Sequence, residues 1–316
     1  MTVSIIVAVK GDNPYLRECI AYCLRLDYVD FEILVLPDSE LTLNCPRTRA
    51  IPTGELTPPQ KRDIGISQAQ GEILAFLDHD TYPAKDWLTK ALRHFEDNEI
   101  DAVGGPAVTA DSDNINQKAS GLVYSSWLMS GQFVYRYQPR RKRYVDDFPS
   151  CNFLIRKTVI RELGGFNTKF WPGEDTFLCL RIIKNRKKKI IYDPEVLVYH
   201  HRRSLFIGHL RQIANYALHR GYFVKRFPQT SLKFVYFLPS LLVFGLIIGF
   251  LLSFLNPAFK LLYISAVALY LALAFISSIS KDFRLTFFVF RGIIISHLIY
   301  GLYFIKGLLS PKLKEE

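Results

Sequence analysis

The 316-residue chain is sparing with several kinds of signal, and each absence narrows what it can be. Its five cysteines, Cys19, Cys23, Cys45, Cys151 and Cys179, form no CxxC pair. Reduced, mostly buried thiols without a chemical role are expected. No GxGxxG follows the first apolar run, and GxxxxGK[ST] occurs nowhere. A dinucleotide dehydrogenase and a P-loop enzyme are therefore disfavoured. No internal repeat or low-complexity tract is present. The opening MTVSIIVAVKGD lacks the basic start, long apolar core and small-residue cleavage site of a secretory leader, so the N-terminal part is expected to stay in the cytoplasm. Arg202 to Arg226 contains six Arg/Lys and no acidic residue, and Phe234 to Leu255 contains no charge at all.

What is present is a chain with 49% hydrophobic residues and a net charge of +11, too apolar for disorder and large enough for a core. The apolar residues concentrate at the C-terminal end. Three stretches, about 234–255, 261–280 and 285–305, are long enough to cross a bilayer as helices, although the third carries Arg291 and His297. This divides the chain into 1–201, a basic amphipathic segment 202–233 expected at a membrane surface, and a membrane domain 234–316 with two or three transmembrane helices. Arg220, Lys225, Arg226 and Lys233 precede the first span, so the positive-inside rule puts them in the cytoplasm. Three full crossings would place the Lys-bearing tail outside, against that rule.

The first part alternates strand and helix. VSIIVAV (3–9), FEILVL (31–36), 72–77 and 101–108 read as strands, with helices after Asn13-Pro14, over 60–70 and over Ala84–Asp97. Such alternation predicts an α/β parallel sheet with its ligands beyond the carboxyl ends of the strands. Asp38 and Asp78 both fall just past strand ends, on one rim. In FLDHDTYP (76–83), Asp78 and Asp80 repel each other and are costly to desolvate. Two residues apart in extended chain, they face the same way and can grip one divalent cation; an exposed turn is the alternative. In WPGEDTFLCL (171–180), Glu174 and Asp175 open a helix, where carboxylates are favoured by the dipole; they can equally supply a general base. His200 and His201 end a strand over 190–201 and point opposite ways, so at most one of them joins a site, where imidazole suits Mn²⁺ or Zn²⁺. Residues 109–150, with Arg140-Arg141-Lys142-Arg143, read either as a solvated loop or as a mobile segment over the crevice.

Taken in order, these segments resemble the family 2 glycosyltransferases of the GT-A fold. VSIIVAVKGDNPYLRECI is similar to their opening strand and helix, EILVLPDSE to a segment usually close to EIIVVDDGS, and KRDIGISQAQGEILAFLDHD to RNxGxxxAxGExixFLDxD. SCNFLIRK, LGGFN and WPGEDTFLCL follow as in the second half of the catalytic domain, so the likeness covers about residues 1–205. It looks closest to membrane-anchored enzymes of succinoglycan and cell-surface-glycan synthesis. The resemblance implies a GT-A α/β fold with a Rossmann-like mixed sheet, and transfer of a sugar from a UDP-, GDP- or dTDP-sugar to a lipid-linked or glycan acceptor with inversion. It implies Mn²⁺ or Mg²⁺ on Asp78 and Asp80, with His200 or His201 as a further ligand. It also implies donor contacts from Ala8, Lys10, Asp38, Arg62 and Asp78, a general base at Asp175, and Glu174 beside it to bind the acceptor. Lys10-Gly11 replaces the usual aromatic-Asn, Pro37 the first Asp of DDGS, and Asp63 the Asn after Arg62. The QxxRW signature of processive synthases is missing, since Gln212 is followed by Asn215-Tyr216, so one sugar per encounter is expected. Membrane lipids are expected partners and nucleic acid is not. The rival readings are a non-catalytic membrane-anchored sugar-nucleotide binder and a nucleotidyltransferase on a similar sheet.

Overall fold

The structure, a computed structural model, describes residues 1–315. The chain divides into two compact units, Met1–Val108 with Tyr135–His201, and Thr109–Val134 with Arg202–Lys314. One boundary between them falls after His201. The first domain expected at 1–201 nevertheless gives up residues 109–134, which read as loop but contain the helix Ile115–Ser125. Asn114 caps that helix, its side-chain oxygen accepting from the N–H groups of Asn116 (3.0 Å) and Gln117 (3.1 Å). Its apolar face joins Leu205, Val289 and Ile293 in a buried cluster of the second unit, which a reading by local pattern does not see.

The strands are β1 (Val3–Ala8), β2 (Phe31–Leu36), β3 (Thr48–Ala50), β4 (Ile73–Asp78), β5 (Thr81–Pro83), β6 (Ile100–Gly104), β7 (Ala107–Thr109), β8 (Arg143–Val145), β9 (Asn152–Arg156), β10 (Lys189–Tyr192) and β11 (Val198–His200). Eight form one sheet in the order β3-β2-β1-β4-β9-β6-β10-β8, and β5-β11-β7 form a smaller one. β1, β2 and β4 are rich in Val, Ile and Leu and buried on both faces, as parallel strands under helices must be. Ala8 pairs with Leu36 on one side and Asp78 on the other, so these three strands end level on one edge. The large sheet is mixed, not wholly parallel as the strand–helix alternation predicted. β9 runs antiparallel to both β4 and β6, and β8 antiparallel to β10.

Proline sets several element ends. The strand expected at 101–108 breaks at Gly105-Pro106 into β6 and β7, and the one expected at 190–201 breaks at Asp193-Pro194 into β10 and β11, because proline cannot donate to a ladder. Asn13 caps the helix Pro14–Cys23, accepting the Leu16 N–H at 3.0 Å. The helix expected over Ala84–Asp97 contracts to Trp87–Leu92 and a 3₁₀ turn, Arg93–Glu96.

One buried amide ties the turns of this unit together. Asn152 Nδ2 donates to the carbonyls of Gly105 and Val196, both at 2.8 Å, and its Oδ1 accepts from Trp87 Nε1 at 2.9 Å. Asn152 and Trp87 are fully buried, so each polar atom depends on the others.

The second unit is helical. Ile207–Arg226 buries His209, Ile213, Ala217, Gly221 and Phe223, and its apolar face is covered by Phe283–Leu309. A helix expected to lay that face on a membrane surface thus has it filled by its own chain. Pro257–Ser278 and Phe283–Leu309 are long and apolar enough to cross a membrane. The span expected over 234–255 is shorter: Phe234–Tyr236 is 3₁₀, Leu238–Leu252 has 15 residues, and at 1.5 Å per residue it reaches about 22 Å of a hydrocarbon core about 30 Å thick.

Replacing Asn152 with Leu should destabilise the fold by about 2–4 kcal/mol, because it orphans two buried carbonyls and an indole N–H. Chemical denaturation followed by tryptophan fluorescence checks this, and an unchanged midpoint would show that the three turns hold without the amide.

Candidate functional site

The carboxyl edge of the first unit's sheet carries the chemistry. β4 delivers Asp78 at its last residue, the turn into β5 carries Asp80, and β11, antiparallel to β5, brings His200 opposite Thr81. Ligand atoms of Asp78, Asp80 and His200 all lie within 4.8 Å of one another, and His200 Nε2 is 3.3 Å from Asp80 Oδ1. Burial raises the Asp80 pKa, but the imidazoles of His200 and His79 more than offset this and hold the carboxyl well below its usual range. Two carboxylates and one imidazole in this reach are a fitting donor set for Mn²⁺, and the oxygens suit Mg²⁺ also.

Such crowding of acids needs a counter-charge, and Arg62 provides it. Its side chain, 4% exposed, donates from Nη2 to Asp78 Oδ1 and from Nη1 to Glu174 Oε1, each at 2.8 Å. The guanidinium also lies over the Phe166 ring, 5.5 Å from its centroid. Burial works against the Arg62 charge. The fields of Asp78, Glu174 and Asp175 outweigh burial and raise its pKa above the ordinary guanidinium value. One buried cation therefore joins the end of β4 to the start of the helix Glu174–Arg181, whose cap Gly173 has φ of 114°, a conformation that favours glycine.

Neighbouring positions sort in the same way. Lys61, buried, donates to Asp38 Oδ1 and to the carbonyls of Val9 and Leu36. Asp38 N–H in turn donates to Lys10 O at 2.9 Å, while the Lys10 side chain is exposed. Asp63, the replacement for the usual Asn, accepts the N–H groups of Phe166 (2.6 Å) and Asn167 (3.0 Å), and so anchors the LGGFN turn.

Several expected roles shift. His201 Nε2 pairs with Glu18 Oε2 at 2.6 Å and its ring stacks on Tyr15, so it faces away from the Asp78–Asp80–His200 cluster. Strand alternation is the reason, and His200 is the histidine that the fold turns towards the carboxylates. Arg62, expected against the nucleotide, is instead buried between two acids. Glu174, expected against the acceptor, is buried too, its second oxygen accepting the Gly173 N–H at 3.1 Å. Asp175 is half-buried at the same helix start, and Ala8 lies level with Asp78 at the end of β1. Lys61 and Glu18 were missed. The dipeptide Lys61-Arg62 was visible, but that both cations are buried against acids depends on contacts 23 and 112 residues apart in sequence.

A mixed α/β sheet with an acidic, metal-competent cluster on its carboxyl edge is the build of a GT-A glycosyltransferase. The chain matches Glycosyl transferase family 2 over residues 4–164, half of its length, and belongs to that family. It is 31% identical over 147 residues to the pre-mycofactocin glycosyltransferase of Mycobacterium tuberculosis, covering 46% of this chain and 30% of the relative. It is 29% identical over 212 residues to the uncharacterized glycosyltransferase EpsJ of Bacillus subtilis, covering 62% and 60%. The chain thus spans less than two thirds of either relative. Among solved structures, it is similar to the mannosyltransferase PcManGT of Pyrobaculum calidifontis, in complex with GDP-Man and Mn²⁺. That likeness has a TM-score of 0.65 at 18% identity, over 98% of this chain and 88% of that one. GalNAc-T7 with UDP, GalNAc and Mn²⁺ matches at a TM-score of 0.50 and 15% identity, over 74% and 51%. At these identities the likeness is one of fold.

Replacing Arg62 with Met should destabilise the fold by about 3–5 kcal/mol, since Glu174 is left buried without its partner. The double variant Arg62→Met, Glu174→Met should recover part of that loss. Equal denaturation midpoints for wild type and the single variant would show that the bridge carries no stability.

Proposed function

We propose that this glycosyltransferase moves one sugar from a nucleotide-sugar to a lipid-linked or glycan acceptor at the cytoplasmic face of the cell membrane, with inversion and the help of Mn²⁺ or Mg²⁺. The observation that carries the reading is the Asp78–Asp80–His200 cluster, joined through Arg62 to the helix start that bears Asp175. GDP-Man and UDP complexes of the structural neighbours, both with Mn²⁺, support a nucleoside-diphosphate donor.

The chain's residues divide the work. Asp78, Asp80 and His200 would hold the cation. When bound, it supplies a Lewis acid that offsets negative charge on the departing diphosphate. Asp38, steadied by Lys61, stands at the end of β2 with Ala8 and the Lys10 backbone beside it, where a nucleoside fits a GT-A crevice. Asp175 takes the acceptor proton, and attack from the face opposite the leaving group inverts the anomeric carbon. Arg62 and Glu174 act on the chemistry indirectly. They hold Asp78 and the Asp175 helix start in fixed relation, because a carboxylate clamped by a guanidinium loses its rotational freedom. The exposed apolar helices of the second unit and its Arg/Lys residues support a membrane location and contact with anionic lipid.

The test is release of nucleoside diphosphate by the detergent-purified chain from a panel of UDP-, GDP- and dTDP-sugars, with Mn²⁺ or Mg²⁺ and a lipid-extract acceptor. One donor should be turned over, and Asp80→Asn should abolish turnover and cation-dependent nucleotide binding together. Binding without turnover across the panel would point to the non-catalytic alternative. Asp175→Asn should lower kcat by about 10²–10⁴-fold and leave donor affinity unchanged by calorimetry. Parallel loss of donor binding would make Asp175 a structural residue only.

A further inference from the structure

Three apolar helices at the end of a chain invite a count of three membrane crossings. The second unit does not treat the three alike. Leu238–Leu252 and Pro257–Ser278 are apolar all round and largely open: Leu251, Leu261 and Leu269 are 60%, 68% and 62% exposed, 6% of the apolar stretch of Pro257–Ser278 is buried, and the buried positions Ser240, Val243, Ala274 and Ser278 lie towards the ends away from the turn. They lie antiparallel, with Gly249 and Phe250 against Tyr263, joined by the short turn Ser253–Asn256. The arms meet Phe283–Leu309 on the side away from the turn, where Ser240 Oγ donates to Gly301 O at 3.0 Å, Tyr270 Oη lies 3.0 Å from His297 Nδ1 and Phe275 packs edge-on against Phe290; the hairpin's charged residue is Lys260, near the turn.

Phe283–Leu309 is built differently. The buried share of its apolar window is 39%. Its exposed positions include Arg284, Arg291 and Lys306, spread along its length. Ile207–Arg226 runs beside it in the same direction. Leu205 packs at Gly292, His209 Nε2 meets Ser296 Oγ at 3.0 Å, and Lys225 Nζ donates to Ser310 O at 2.6 Å. The two backbones touch: a Cβ on Gly221 would lie 2.1 Å from Phe304 O, and one on Gly307 would lie 2.0 Å from Leu218 O. The outward face of Ile207–Arg226 carries Arg211, Asn215, Tyr216, Lys225 and Arg226. If Phe283–Leu309 crossed the bilayer, this polar face would be drawn into hydrocarbon with it.

We infer that only the Leu238–Ser278 hairpin enters lipid, and that Phe283–Leu309 stays at the membrane surface beside Ile207–Arg226, so that the chain before the hairpin and the tail after it lie on one side. This rests on the reading of the second unit as membrane-bound. The bilayer is the occupant of the hairpin surface because of the charges around it. With a single re-entry, Lys225, Arg226, Lys233, Lys281, Arg284, Lys306, Lys312 and Lys314 share one side and Lys260 alone approaches the other, as the positive-inside rule favours. Three crossings would move the last three lysines of that set across. At 1.5 Å per residue the hairpin arms are about 22 and 33 Å long, enough for one loop into the bilayer.

The test is the sidedness of two exposed positions in the full-length chain. Asn215→Cys and Lys312→Cys, each with Cys45→Ser, are labelled with a membrane-impermeant maleimide in right-side-out and in inverted vesicles. Both should react in the same orientation and lose their label in the other. Reaction in opposite orientations overturns the inference. As a check that needs no substitution, an epitope after the last residue should be cut by added protease in the orientation that labels Asn215→Cys; protection there also overturns it. Washing the vesicles with alkaline carbonate separates the two levels. Retained protein with labels on opposite faces defeats only the hairpin topology, whereas protein stripped into the supernatant defeats the membrane reading beneath it.

Discussion

A single buried guanidinium holds the proposed active site together. Asp78 and Glu174 come from distant stretches of the chain, and the buried Glu174 carboxyl would be costly without a partner. Arg62 bonds to both at close range and fixes where they point, because a planar fork with two donors admits few geometries. Its neighbour Lys61 does the same for Asp38 one strand away. The helix Pro58–Gln68 thus presents two successive cations to two acids at the ends of β2 and β4, the strands on either side of β1.

Under the proposed function, this arrangement separates residues that touch ligand from those that position them. Asp80 and His200 are partly buried and face each other, with His200 Nε2 3.3 Å from Asp80 Oδ1. Asp78 is shared, one oxygen held by Arg62 and its side chain still 35% exposed. Glu174 is buried in the bridge to Arg62. Asp175, one residue on at the helix start, is half-buried. Adjacent carboxylates thus sit in different surroundings, with burial as the distinguishing variable.

In the second unit the deciding constraint is where polar groups can go. The last three helices are all apolar, yet two leave most of their surface exposed and the third buries 39% of its apolar stretch, largely beside Ile207–Arg226. Ser296 and His209, polar atoms within that contact, are satisfied by each other. Glycines at 221, 301 and 307 let backbones approach where any side chain would collide, and Gly292 makes room for Val123 and Leu205.

Much was legible without coordinates, and for local reasons. The strands at 3–8, 31–36 and 73–78 announce themselves by continuous β-branched and aliphatic runs, Asn13-Pro14 by cap chemistry, and FLDHDTYP by carboxylates at a strand end. The family follows from the order of these segments. Less visible was the antiparallel β9, because strand direction depends on which partner a strand meets and not on its own residues. The choice between His200 and His201 also waited on the fold: alternation says that they diverge, and only the packing of β11 against β5 and Tyr15 says which faces the acids. That Arg62 is buried between Asp78 and Glu174, and that Phe283–Leu309 is clad by a polar-faced helix, came from contacts across long sequence separations. Composition and periodicity determine which segments become strands or apolar helices, since those preferences act over a few residues. Which charges end as ligands, which as buried bridges and which helix meets lipid was decided by tertiary structure, because burial and pairing belong to partners the local sequence does not contain.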